Sequence, residues 1–375
     1  MCIRDREISL HLKASEWYAQ NGFPDEAIEH ALQAEDFDRA VRLIEKQADA
    51  CWKGGEHKEL HSWLDALPVD LLLSNPNLCV FQAWEQFVNE QQDAVETTLQ
   101  ALEKLDLTQE FQNESDRMRI QGRVAIIRAF LAFHKGDPDA IFQYAQLALD
   151  YLPEDDIIWR NTIYVPLGDA YQMARPVEDT ARIRLETWET SKKIGNIYMN
   201  IIASMKYCVT LRQQGKFDMI KDICQQQMIL AKENGLSLSP EAGWILAVWG
   251  EVLAEQGDLD QAIKKTREGV ELAPGGYIGI LGVCKRHLIV ALFSSGHFAG
   301  VEAIIQEIEE NGWDRLPPWI VTEIKAWQLR LWLAQGKIEE TSQWLAEQGL
   351  EVTGNPDRSN EREYLTLVRF LIATG

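Results

Sequence analysis

A chain of 375 residues with 37 Lys and Arg against 58 Asp and Glu carries a formal net charge of −21, which argues against this chain gripping DNA or RNA, because such surfaces need clustered positive charge to displace counterions. At 46% hydrophobic and 25% charged residues it can bury a large core, unlike polar, aromatic-poor disordered chains. Its longest apolar runs fall well short of the roughly 20 residues of a membrane-spanning helix, and its six cysteines show no CxxC or knuckle spacing, so the expectation is a soluble, cytoplasmic chain without a disulfide framework and without a membrane partner.

In chain order, residues 1–6 fit no later pattern and read as a scar or a disordered end. From there a phrase recurs: an apolar-periodic run, a turn with Gly, an acidic residue, and a second apolar-periodic run. Its clearest copies surround Gly22, Gly136, Gly215, Gly257, Gly296 and Gly336, and the last four are 42, 39 and 40 residues apart. The 79 residues from Gly136 to Gly215 hold two units, with the middle turn expected at Ala174-Arg175, where Pro176 is the breaker. Weaker turns at Gly54-Gly55 and Gln91-Gln92 complete nine. Apolar residues at steps of three and four make both halves helical; Ile320, Ile324, Trp327, Leu331 and Ala334 form one such stripe. Glycine ends the first helix because it tolerates positive φ, and the acidic residue then meets the positive end of the second helix dipole. Hairpins of about 40 residues cannot bury their apolar faces alone, so neighbours must stack. The expected fold is all-α, a superhelical solenoid of about nine hairpins.

Around Gly257, the small residues Gly250, Ala262 and Gly269 and then Pro274 recur at set offsets, and Ser15, Tyr18, Ala27 and Ala34 do so around Gly22. This series resembles the tetratricopeptide repeat, although the 39 to 42 residue spacing exceeds the 34 of that repeat. A second resemblance lies in the run Glu16 to Gln47 followed by Glu59 to Leu78, which is similar to the junction after the ATPase module in MalT-like, LuxR-type regulators. Residues Asn360 to Gly375 resemble the last repeats of the same region. The resemblance implies a junction segment over 7–78, resembling the end of a post-ATPase winged-helix region, and a TPR-like helical-repeat domain over 79–375, with the final hairpin cut short. It also implies an effector-sensing and self-association role, with a small-molecule inducer, a sugar among the candidates, or a protein partner. A stand-alone TPR-type protein-interaction scaffold is the alternative.

No GxxxxGK[ST] phosphate loop occurs, since Gly215-Lys216 and Gly336-Lys337 sit in repeat turns. No GxSxG elbow occurs either. The expectations are therefore no catalytic residues, no enzyme activity and no cofactor. His57 and His61 share a helix face, but Lys58 stands where a metallohydrolase helix needs Glu; the default is a solvated face and no metal. Gly275, Gly276, Gly279 and Gly282 read as close helix packing or a loosened helix start rather than a dinucleotide loop. The run Glu154-Asp155-Asp156 after Pro153 reads as an inter-repeat loop capping the next helix. Trp is abundant, with thirteen copies, mostly expected in the core. The two best ligand-binding candidates are Trp313 and Trp319, because Asp314 and Pro317-Pro318 place them at a hairpin junction rather than in mid-stripe.

Overall fold

In a computed structural model, residues 3–105, 111, 113–174, 177–347 and 361–374 are described. They form α-helices and one short 3-10 turn, and no strand occurs among the described residues. In chain order the helices are α1 (Ile3–Gln20), α2 (Pro24–Gln33), α3 (Phe37–Gly54), α4 (His57–Asp65), α5 (Val69–Leu73), α6 (Pro76–Val88) and α7 (Gln92–Lys104). There follow α8 (Glu114–Lys135), α9 (Pro138–Tyr151), α10 (Ile157–Thr162), α11 (Tyr164–Ala174), α12 (Val177–Lys193), α13 (Ile197–Gln213) and α14 (Phe217–Glu233). The last seven are α15 (Pro240–Glu255), α16 (Leu259–Leu272), α17 (Ile278–Ser294), α18 (Phe298–Asn311), α19 (Pro318–Ala334), α20 (Ile338–Glu347) and α21 (Glu361–Thr374). The chain is thus an all-α run of helical hairpins. Residues 3–6 belong to α1 rather than to an irregular end.

One turn chemistry joins the hairpins. At Gly257 (φ +85°), the Asp258 N–H donates to the Leu253 carbonyl and Gly257 N–H to that of Ala254, so a left-handed residue satisfies carbonyls that the helix end would orphan. The same five-residue bond closes the turns at Gly22, Gly55, Gly136, Gly215, Gly296 and Gly336, all glycines with positive φ. The turn expected at Gln91-Gln92 lies one residue earlier, with Glu90 in the left-handed position (φ +63°) and Gln91 N–H bonded to the Gln86 carbonyl. The turn expected at Ala174-Arg175 is bracketed by α11 and α12, but residues 175–176 lie outside those described. After the turn, Asp137 and Asp258 do more than complement a dipole: their side chains accept from Ala140 N–H (3.0 Å) and Gln261 N–H (3.3 Å) as N-caps.

Small residues set the closest helix pairs. A Cβ at Gly269 would lie 2.6 Å from the Gly243 carbonyl oxygen, and one at Gly250 would lie 2.5 Å from Thr266 Cγ2. α15 and α16 therefore approach almost backbone to backbone, as the series around Gly257 requires. In the first hairpin, buried Ser15 donates to the Ala27 carbonyl across α1 and α2 at 2.7 Å.

Two compact units emerge. The first comprises residues 1–128, 145–162 and 190–200, and the second 129–144, 163–189 and 201–375. The division at 78/79 drawn from the resemblance coincides with neither. In the first unit the core is aromatic: Trp52 stacks on Trp159 at 4.7 Å and 7°, while Trp84 meets Trp52 edge-on at 5.4 Å, all three essentially without solvent contact. Arg123, paired with Asp156 at 3.0 Å, lies over Trp159; Asp156 precedes α10 as expected of a capping residue, but its carboxylate turns to Arg123. His57 does not sit on a solvated face: its Nδ1 lies 2.8 Å from Glu85 Oε1 and its ring packs on Tyr198. His61 lies 3.3 Å from Asp65.

In the second unit, Ile289, Val301, Ile305, Ile320 and Ile324 centre the apolar core between α17, α18 and α19. The glycine cluster serves packing there: a Cβ at Gly276 would strike Pro240, and Gly282 lies against Ile320 and Leu316. Trp249 and Trp327, on apolar stripes, are half-buried and roofed by Lys265 (3.8 Å) and Arg330 (3.9 Å). On α21 Thr366 and Leu367 are buried, whereas Leu365, Val368 and Leu371 are exposed.

Candidate functional site

The second unit contains an open cavity of about 920 Å³, within the range that holds drug-sized ligands. Its wall comes mainly from the first helices of successive hairpins. α8 supplies Phe133, α11 Asp169, α13 Lys206 and Arg212, α15 Trp244 and Glu251, α17 Arg286 and His287, and α19 Trp319 and Glu323; α12 adds Arg184. The repeat places equivalent positions side by side. Trp244, Val283 and Thr322, each 39 residues from the next, all face it.

Charged residues in the wall pair across one repeat. Arg212 Nη1 donates to Glu251 Oε1 at 2.9 Å, Arg286 Nη1 donates to the same oxygen at 2.8 Å, and Arg286 Nε donates to Glu323 Oε2 at 3.1 Å. Each partner lies one hairpin further along the chain, with alternating sign. His287 Nδ1 lies 3.2 Å from Glu251 Oε2. Burial works to raise the Glu251 carboxyl, but the cations around it outweigh this and hold it well below the usual carboxylate range. Burial, with Arg286 beside it, depresses His287 below its ordinary value, so at neutral pH the guanidiniums and not the imidazole keep Glu251 ionised.

A second cluster is unbalanced. Asp169 accepts from Arg184 Nη2 at 2.8 Å and from Lys206 Nζ at 2.8 Å. Arg184 also donates to the Lys206 carbonyl and to Thr210 Oγ1, and its Nε has no acceptor among the described residues. The Arg184 and Asp169 side chains are 3% and 6% exposed, so two cations share one carboxylate where water contributes little. Burial lowers the proton affinity of both Lys206 and Arg184, with Asp169 opposing it. The Lys206 ammonium sits 4.2 Å from the Phe133 ring centre and 5.6 Å from that of Trp319, a cation–π arrangement that eases desolvation.

Of the two tryptophans singled out from sequence, Trp319 opens α19 on the cavity wall, packed 5.3 Å from Phe133. Trp313 lies on the 3-10 turn Trp313–Arg315, against the apolar core, its ring covered by Lys325 at 3.9 Å; it does not line the cavity. The charged wall escaped the sequence reading. The available signal was Asp169, Lys206, Arg212, Glu251, Arg286 and Glu323, charges recurring at 35 to 39 residues on otherwise apolar first helices. No group of three residues able to hold a metal occurs among the described residues.

Comparison with known proteins places these elements. The family model of the MalT-like TPR region matches residues 122–375, which include every cavity residue. The HTH-type transcriptional regulator MalT of Yersinia pestis (strain Pestoides F) is 26% identical over 263 residues, 70% of this chain and 29% of its own length. That of Serratia proteamaculans (strain 568) is 23% identical over 338 residues, 90% of this chain and 37% of its own. The chain therefore spans about a third of the length of these relatives. Among solved structures, a Rap protein complexed with Competence and Sporulation Factor matches 94% of this chain, and 85% of its own, with a TM-score of 0.46 at 12% identity. Because the family model takes in well over half of the residues, the chain belongs to the MalT-like TPR regions.

Proposed function

We propose that this region is the effector-sensing part of a cytoplasmic MalT-like, LuxR-type transcriptional regulator, and that the cavity of the second unit is where the effector binds. The observation that carries this reading is the cavity itself: about 920 Å³, walled by Trp244, Trp319 and a ladder of ion pairs, inside the part of the chain that matches the family. A purely structural stack has no need of buried charges, which cost more to desolvate than apolar residues of the same volume. Because the ion pairs of the ladder from Arg212 to Glu323 join neighbouring hairpins, a ligand that competes for one carboxylate or guanidinium changes how successive hairpins stack. That change is what an ATPase module and a DNA-binding module elsewhere in such a regulator would read; the role needs neither catalysis nor a cofactor in this region.

Self-association is part of the same proposal, supported by the exposed Leu365, Val368, Leu371 and Ile372 of α21. The test is a thermal-shift screen of the chain against small metabolites and against peptides, followed by a promoter-reporter assay of a regulator carrying this region. A metabolite that raises the melting temperature, loses that effect in Trp319→Ala, and switches the reporter supports sensing. Stabilisation by peptides alone, with no metabolite effective, would favour a stand-alone protein-interaction scaffold.

A further inference from the structure

The cavity wall is out of charge balance, and the imbalance has an address. Arg212, Glu251, Arg286 and Glu323 form a neutral set of two cations and two carboxylates. Among the described residues, Arg184 and Lys206 share one carboxylate, Asp169, leaving one positive charge on this cluster. Lys135 adds another, from an exposed position on the cavity wall. Such an excess is unexpected in a chain of net charge −21, and it is costly, because a buried cation is tolerated only when fully paired and hydrogen-bonded. Arg184 Nε, without an acceptor among the described residues, marks the same deficit of anionic oxygen.

We propose that the effector is a small organic anion, a phosphate or carboxylate compound, whose charged group seats at Lys206 and Arg184 and whose ring or carbon skeleton lies against Trp319. The inference rests on the cavity being the effector site and names the chemistry that site selects. Three features converge on it. The excess cation is held in a wall where the effective dielectric is low, so an added anion gains more there than at the surface. Trp319, beside Lys206 and Phe133, offers a flat apolar neighbour to whatever carries the charge. The cavity has room for a body larger than a bare ion. The acidic remainder of the molecule does not prevent this, because charges further off than about 8 Å are screened at physiological salt.

The test is calorimetric titration of the whole chain at 0.15 M salt with matched pairs: glucose 6-phosphate against glucose, adenosine monophosphate against adenosine, and benzoate against benzyl alcohol, with inorganic phosphate as the bare anion. At least one charged member should bind tenfold or more tighter than its neutral parent, and tighter than inorganic phosphate. Lys206→Gln removes the excess charge while leaving Arg184 on Asp169, so it should fold and lose at least tenfold of that affinity, whereas Lys206→Arg should keep the preference for the charged member. Circular dichroism and melting temperature verify that both variants are folded. The proposal is overturned if no charged member outbinds its neutral parent, or if the preference survives in Lys206→Gln. A neutral ligand that binds the cavity and switches the reporter leaves the sensing role standing and removes the anion; an anion that binds through Lys206 without switching the reporter does the reverse.

Discussion

The two compact units bury the first helices of their hairpins in opposite ways. In the first, Trp52, Trp84 and Trp159 meet ring to ring, with centroids 4.7 to 6.0 Å apart. In the second, the corresponding space is bordered by Asp169, Lys206, Glu251 and Arg286 and stays open over about 920 Å³. The same turn, a glycine of positive φ closed by the five-residue bond, serves hairpins in both. The difference teaches that the repeat grammar fixes a scaffold, while a few side chains on the inner helices decide whether it closes into a core or around a cavity. Large rings fill space and prefer edge-to-face or offset contact; paired charges hold helices at the length of an ion pair and resist collapse, since each must keep its partner.

The largest expected effects probe these two interiors directly. Trp52→Ala should destabilise the first unit by about 3–5 kcal/mol, the cost of deleting a fully buried large ring whose neighbours cannot collapse. Amide exchange of α3, α6 and α10 would measure it; a loss under about 1 kcal/mol would mean that the aromatic core is not closed. Asp169→Asn should cost the second unit a similar amount, about 3–5 kcal/mol, because it strands two buried cations. Unlike the tryptophan change, it should be partly relieved by high phosphate, which supplies the missing negative charge. Equal destabilisation with and without phosphate would show that the wall does not admit anions.

A smaller effect separates scaffold from contents. Gly269→Ala gains helix propensity of about 1 kcal/mol, but the new Cβ would fall 2.6 Å from the Gly243 carbonyl oxygen, a backbone atom that cannot rotate away. The clash should win, for a net loss of about 1–3 kcal/mol as in other overpacked cores. Gly300→Ala, which meets only the flexible end of Leu292 at 3.2 Å, should be neutral or stabilising. Urea titration of both variants compares the signs; a stabilising Gly269→Ala would mean that α15 and α16 are not in close contact.

These outcomes also mark what the sequence could and could not reveal. The hairpins were legible because their signals are local: Gly257 and its kin are required by positive φ, and Ser15, Ala27, Gly250 and Gly269 by close approach of adjacent helices. The turn at Glu90 was misplaced by a residue because a non-glycine took the left-handed position. Trp313 and Trp319 were picked out by their place at a hairpin junction; Trp319 borders the cavity, whereas Trp313, on the 3-10 turn under Lys325, does not. The ion-pair ladder was missed because its partners lie 35 to 39 residues apart, and a charge on an apolar helix shows nothing of its partner until the repeats are aligned. The two units were invisible, since each is assembled from separated stretches of chain.

The smallest effect is a pH dependence that belongs to the second unit. Burial lowers His287, with Arg286 adding to it and Glu251 opposing it; Arg212 also faces it, and Glu323 lies beyond Arg286. Burial likewise lowers His134, with Lys135 adding to it, and its Nδ1 lies 3.2 Å from the Tyr277 hydroxyl. Both imidazoles therefore bind a proton less readily in the fold and regain an ordinary value of about 6.5 when the chain unfolds. Between that value and the lower folded one, the unfolded chain binds more protons, so stability rises with pH. The contribution is complete above about pH 6.5 and is lost as pH falls below it; Glu251, held low by its cations, adds a further loss only in stronger acid. Amide exchange of α8 and α17, corrected for the intrinsic rate, should accordingly show faster opening at pH 5.5 than at pH 7.5. In the His134→Gln, His287→Gln double variant this difference should shrink. If the slope is unchanged in that variant, the histidines are not what couples the second unit to acid.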